Sequence, residues 1–141
     1  MGDEKQPEVD GGRGADGGRE AAAISKNSPA AAPVIALRME SLLTWVAERV
    51  AKFPRDHRFT VGDRFLDTCL EVMGLLVEAS YRRDKHAALS AASRGLVRAR
   101  VLARLARSLR CLSEAQHLHF ARESDEVGRM LGGWLRATGT R

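Results

Sequence analysis

The sequence predicts an all-α protein, an up-down-up-down four-helix bundle preceded by a polar N-terminal tail. Three observations predict it. Four stretches between residues 34 and 136 carry apolar residues at i, i+3/i+4 spacing. The breaks between them hold turn and capping signals around Pro54, Asp84 and Ser113. Nothing in residues 34–141 alternates in the manner of a half-buried strand. Four amphipathic helices on short connections bury their stripes against one another, which is the bundle solution.

Residues 1–33 form the tail. Gly2, Gly11, Gly12, Gly14, Gly17 and Gly18 sit among charges, with almost no large apolar residue to bury, so disorder is expected. This tail is acidic, with a net charge of −2. It acts either as a passive extension or as a weak screen for the basic body that follows. The bundle is expected over residues 34–137, and residues 138–141 are expected to be disordered.

The first helix is expected over Val34–Lys52, with Ile35, Met39, Leu42, Leu43, Val46, Val50 and Phe53 as its buried stripe. Pro33 suits a helix start, and Pro54 ends the helix because it lacks an amide proton. The second helix is expected to open at Thr60, capped by the Thr60/Asp63 pair, and to run to about Arg82. Phe65, Leu66, Cys69, Leu70, Met73, Leu76 and Val77 form its expected inner side. The third follows the polar turn around Asp84 and continues to about Cys111. Ser113 and Gln116 make a capping box for the fourth, which extends to about Arg136. Val127, Met130, Leu131, Trp134 and Leu135 mark its buried side.

Charge is the most informative feature of the chain. Residues 34–141 hold 19 bases and 12 acids. The 29 residues from Lys85 to Ser113 contain no acid but carry Arg94, Arg98, Arg100, Arg104, Arg107 and Arg110. On the third helix Val101, Leu102, Leu105, Leu109 and Leu112 cluster on one side. Arg100, Arg104, Arg107 and Arg110 fall roughly opposite, facing solvent, where they can meet successive phosphates of a polyanion. Arg94 and Arg98 instead continue the line of the apolar stripe. A guanidinium there must snorkel, pair with an acid, face a partner subunit or a central opening, or lie past the end of the core in water.

Gly132 and Gly133 interrupt a strongly periodic helix, at about 1 kcal/mol each relative to alanine. Close approach of another helix, with Trp134 filling the adjoining groove, offsets that cost; the approach can lie within the bundle or between subunits.

Several classes are excluded. Cys69 and Cys111 cannot define a disulfide framework and are expected to be reduced, in a cytoplasmic protein without signal peptide or membrane span. His57, His86, His117 and His119 are scattered, and His117 and His119 point about 160° apart on a helix. No metal-ligand spacing, phosphate-binding glycine loop or nucleophile elbow is present. Glu123, Asp125 and Glu126 read as dipole complements at a helix start rather than as an acid–base pair. No enzyme activity, cofactor or metal is expected.

Two segments carry a resemblance. Phe53-Pro54-Arg55-Asp56-His57-Arg58-Phe59-Thr60-Val61-Gly62-Asp63-Arg64 resembles the loop between the first two helices of small four-helix-bundle proteins, among them those encoded in intervening sequences of 23S ribosomal RNA genes. Val127-Gly128-Arg129-Met130-Leu131-Gly132-Gly133-Trp134-Leu135 looks like the closing motif of the same superfamily. With the arginines of the third helix, it is similar to the accessory variability determinant branch from diversity-generating retroelements. The resemblance spans about residues 34–137. It implies a basic, barrel-shaped homopentamer with a central pore that binds a reverse transcriptase and nucleic acid, template RNA or complementary DNA. It places Arg100 and Arg104 on the family's basic helix and makes Gly132, Gly133 and Trp134 structural.

Two functions follow as expectations. One is a non-catalytic accessory protein that binds polymerase and nucleic acid through its basic surface and supports mutagenic reverse transcription. The other is a structural oligomeric interaction module of the rRNA-intervening-sequence type, in which the arginines pair with acids and nucleic acid plays no part.

Overall fold

The computed structural model of the chain describes residues 31–139. Four long helices make the fold: α1 Ala31–Val50, α2 Asp63–Tyr81, α3 His86–Ser108 and α4 Glu114–Gly139. Among the described residues there is no strand. Helix α1 packs chiefly on α2 and α4, and α3 on α2 and α4, which closes the expected up-down-up-down bundle. The first turn of α1 includes Ala31 to Pro33, which were expected to belong to the tail. The rest of the expected disordered tail, residues 1–30, lies outside the described residues, as do residues 140–141. Helix α4 runs past the expected end of the domain to Gly139.

The core is one contiguous cluster. Ile35, Met39, Leu42, Val46 and Val50 of α1 meet Phe65, Cys69, Val72 and Leu76 of α2 and Phe120, Val127, Leu131 and Trp134 of α4. Phe65 and Phe120 pack edge to face at 5.1 Å between ring centroids. Phe53 seals the end of α1, as its place in the stripe predicts.

The connection after Pro54 is more helical than the capping pattern implies. A single helical turn, Arg55–His57, leads into a π-helical turn, Arg58–Gly62, and so directly into α2. Thr60 therefore caps nothing: its hydroxyl donates to the His57 carbonyl at 3.4 Å, inside the turn. Gly62 is buried there because a Cβ would lie 3.0 Å from Val50 Cγ1. The Ser113/Gln116 box forms as expected. The Gln116 amide donates to Ser113 Oγ at 3.1 Å, and the Ser113 amide to Gln116 Oε1 at 2.9 Å.

The main correction concerns α3. Its buried face is Ala88, Ala92, Gly95, Ala99, Ala103 and Ala106 with Leu89 and Leu96. Most of the expected apolar stripe faces out: Val101 and Leu105 are 48% and 43% exposed, as is nearby Val97 at 56%, and Leu102 and Leu109 are half-buried, while Leu112, past the end of α3, is buried as expected. Small residues face inward because α2 and α4 come too close for larger ones. A Cβ on Gly95 would stand 2.9 Å from Val72 Cγ2. On α2 the inner line likewise passes through Val72 and Ala79, leaving Leu70 and Val77 exposed rather than buried.

Candidate nucleic-acid interface

Turning the small face of α3 inward sets where its arginines go. Arg100 and Arg107, expected in solvent, are half-buried against α4. The Arg100 guanidinium donates to the Ser124 carbonyl at 2.9 Å and to Ser124 Oγ at 3.4 Å, and lies 3.2 Å from Asp125 Oδ1. It passes over Gly128, where a Cβ would collide with Arg100 Nη2 at 2.8 Å. Arg100 thus clamps α3 to α4, a buried-edge bond to a carbonyl that no solvent-facing arginine makes. Arg107 stands 3.9 Å from Glu114 Oε1, a looser contact at the start of α4.

Arg104 and Arg110 are exposed, as expected, and neither side chain has an ion-pair or hydrogen-bond partner among the described residues. Arg110 has a backbone φ of 65°, the left-handed region that favours glycine. The hydrogen bonds explain why a residue must turn there. The Cys111 amide donates to the Ala106 carbonyl at 2.8 Å and the Arg110 amide to the Arg107 carbonyl at 2.9 Å, a Schellman closure of α3. Arginine occupies the position where glycine would cost least, and so projects its charge from the corner between α3 and α4.

His117, on the first turns of α4, belongs to the same corner. Desolvation holds its imidazole below the usual histidine range; the charge of Arg107 pushes it the same way, Glu114 pulls it back, and Arg104 adds the weakest push downward. Arg104, Arg107 and His117 are therefore close enough to feel one another. A shallow hollow of about 480 Å³ lies beside them, lined by residues that include Arg107, Arg110 and Gln116. Forked guanidinium donors around an open hollow suit the oxygens of a phosphate. Sequence reasoning missed His117, Ser124, Gly95 and Gly128. The one available signal was the small-residue line of α3, Ala92, Gly95, Ala99, Ala103 and Ala106, at i+3/i+4 spacing.

Arg94 and Arg98 flank Val97 and Val101 on the outer side of α3. Arg98 pairs with Glu71 of α2 at 3.2 Å; Arg94 is exposed without a partner among the described residues. Lys85, the other base in the acid-free run, is buried and donates from Nζ to the Arg82 carbonyl, closing the end of α2. Burial lowers its pKa. It is a capping residue here, not part of the basic surface.

Trp134 is buried in the core, with its indole N–H lacking a partner among the described residues. Gly132 and Gly133 do not admit another helix within the bundle. A Cβ on either would meet only Arg136 of the same helix, at 3.5 and 3.8 Å. The acids at 123–126 lie in the middle of α4, not at a helix start. They serve as ion-pair partners: Glu123 for Arg38, Asp125 for Arg100 and Glu126 for Arg129.

Both cysteines are free. Burial of Cys69 pushes its thiol up to about 12, so it stays protonated and unreactive. Among the described residues no group of His, Cys, Asp and Glu could hold a metal, and no helix is long and apolar enough to cross a membrane.

The family model that matches the chain, described as bAvd-like, covers residues 33–138, the whole bundle. No curated protein matches. With a four-helix fold, an arginine-bearing third helix and a match over the entire domain, the chain belongs to the bAvd-like family, proteins of the accessory Avd type.

Proposed function

We propose that this chain is a non-catalytic, cytoplasmic accessory protein of a diversity-generating retroelement. It binds template RNA or complementary DNA by phosphates and docks the reverse transcriptase. It acts as a homo-oligomer, a pentamer on the family pattern, so that each basic corner is repeated around the assembly. Family membership supports the accessory role. One structural observation carries the nucleic-acid role. Arg110 is kept in a conformation that costs stability, at the end of the helix whose outer side carries the exposed, unpaired Arg104.

Binding of this kind is electrostatic and largely indifferent to sequence. Each phosphate contact adds roughly −0.7 to the slope of log K against log salt for a single strand. The test is fluorescence anisotropy of labelled single-stranded RNA and DNA with the full chain across a salt series. Steep salt weakening, and its relief in Arg104→Glu/Arg110→Glu, is the expected result. Affinity that ignores salt, or that survives the double reversal, rejects the reading. Co-purification with the reverse transcriptase tests the other partner.

The alternative is an oligomeric interaction module of the rRNA-intervening-sequence type. One observation favours it: Arg98, Arg100 and Arg107 already face acids, Glu71, Asp125 and Glu114. Dissociation of the oligomer on Arg104→Glu/Arg110→Glu, with no nucleic-acid binding in the parent protein, would support it.

A further inference from the structure

The face of α3 that the bundle leaves outside is not an ordinary polar surface. Arg94, Val97 and Val101 form a stripe at i+3/i+4 spacing, and both valines are about half exposed. Beside it, between α2 and α3, lies an open groove of about 760 Å³. Leu102 and Leu105 give it an apolar wall, and Asp63, Asp67 and Glu71 line its acidic side. Arg64 is the one base among its lining residues, so the groove is locally negative in a chain of net charge +5. Glu71 is taken by Arg98, whereas Asp63 and Asp67 have no ion-pair partner among the described residues. Phe59 is 66% exposed at the mouth.

We propose that this groove receives the outward stripe of α3 from a second copy of the chain. The contact is head to tail, stripe of one copy into groove of the next. The inference rests on the self-assembly proposed above and names the surfaces that make it. Three features choose this occupant. Acid lines the groove and arginine flanks the stripe, so the two are complementary in sign. Both present exposed aliphatic carbon that gains from leaving water. Helix α3 turns about 100° per residue, which puts the middle of the stripe roughly 80° from the middle of the groove wall formed by Leu102 and Leu105. One chain can therefore give and receive at once, and unlike surfaces that meet in this way build rings or filaments rather than closed pairs. Nucleic acid is repelled from the same groove, which leaves the corner at Arg104 and Arg110 as the anionic ligand's side.

The experiment is light scattering after gel filtration on the full chain and on two charge-reversed variants. One variant reverses the groove (Asp63→Lys/Asp67→Lys), the other the stripe (Arg94→Glu). Each is expected to weaken self-association about tenfold or more while keeping its helical circular dichroism. An equimolar mixture of the two is expected to recover assembly with the two variants in 1:1 ratio, because the intact stripe of one fits the intact groove of the other and the reversed stripe fits the reversed groove. All three reversals on one chain are expected to restore assembly. If a reversed chain loses its helicity, the neutral variants Asp67→Asn and Arg94→Gln carry the same test, with each expected to weaken assembly. A parent protein that stays monomeric overturns both the self-assembly reading and this contact. A parent that assembles, with both reversed variants assembling equally well, overturns the contact alone. Weakened variants that neither assemble on mixing nor recover when combined also overturn it.

Discussion

The two sides of α3 differ in a way that runs against residue size. Its inner side is mostly alanine and glycine, with Leu89 and Leu96, all buried; its outer side is valine, leucine and arginine, largely exposed. An isolated amphipathic helix would be turned the other way, large residues in. The inner side gains instead from closeness. Alanine at Ala92, Ala99, Ala103 and Ala106 lets the backbones of α2 and α4 approach, so that the large side chains of those helices fill the space. What the bundle leaves on the outer side is an exposed surface, apolar and charged together.

Enlarging the inner side tests this contrast most severely. Ala99→Leu and Ala103→Leu are each expected to cost about 1–3 kcal/mol, because a buried side chain has no space to grow into without moving α2 or α4. Val101→Ala on the outer side, measured at high dilution, is expected to change unfolding by less than about 0.5 kcal/mol. Urea denaturation of the three variants is the measurement. Comparable losses from both sides would mean that the outer stripe is also part of the fold.

A second pair separates clamp from contact among the arginines. Arg104→Glu/Arg110→Glu is expected to lower affinity for single-stranded RNA at least about tenfold. It is also expected to flatten the salt slope by roughly 1.4, the share of two phosphates that the variant no longer holds. Arg100→Gln is expected to leave affinity nearly intact and to cost about 1 kcal/mol of stability, through its bonds to Ser124. The reverse pattern in anisotropy and denaturation would exchange the two roles.

A smaller effect comes from the turn after α3. Arg110→Gly relieves a left-handed residue and is expected to raise stability by about 0.5–1 kcal/mol while weakening nucleic-acid binding. Opposite signs in the two assays mark a residue kept for its charge. Loss of stability in the glycine variant would mean that the arginine side chain itself supports the turn.

The least effect is a matter of pH. His117 titrates below its unfolded value, so the unfolded chain binds the proton more readily. The stability it contributes is present above the unfolded pKa, near 6.5, and falls away as pH drops from there towards the folded value. His117→Gln is expected to flatten that acid limb of the denaturation midpoint. A phosphate seated beside Arg104 and Arg107 would raise the pKa of His117, so its NMR titration is expected to move up when RNA binds. A titration unmoved by saturating RNA would place the ligand elsewhere.

Much of the fold was legible because its signals are local. Ile35 to Phe53 and Val127 to Leu135 repeat at helical spacing with large side chains that leave no other face to bury. Ser113 and Gln116 act within one turn, so their box could be read directly. Thr60 had the same local pattern but lost its capping role, because the chain from Arg55 onwards is already helical when it reaches Asp63. The arginines were legible as charge but not as partners. Arg100 and Arg104 are four residues apart on one helix, yet only Arg100 reaches over Gly128 to Ser124, a relation between distant parts of the chain.

Composition and periodicity alone established four helices, their order, the capping of the last and a basic third helix, since each depends on residues within a few turns of one another. Which side of that third helix turns inward, and hence which arginines remain free for an anion, depended on how closely its neighbours pack. That spacing is a property of three helices together. It favours alanine at the contact even where valine and leucine would bury more surface, because a close-packed interior has no room for them.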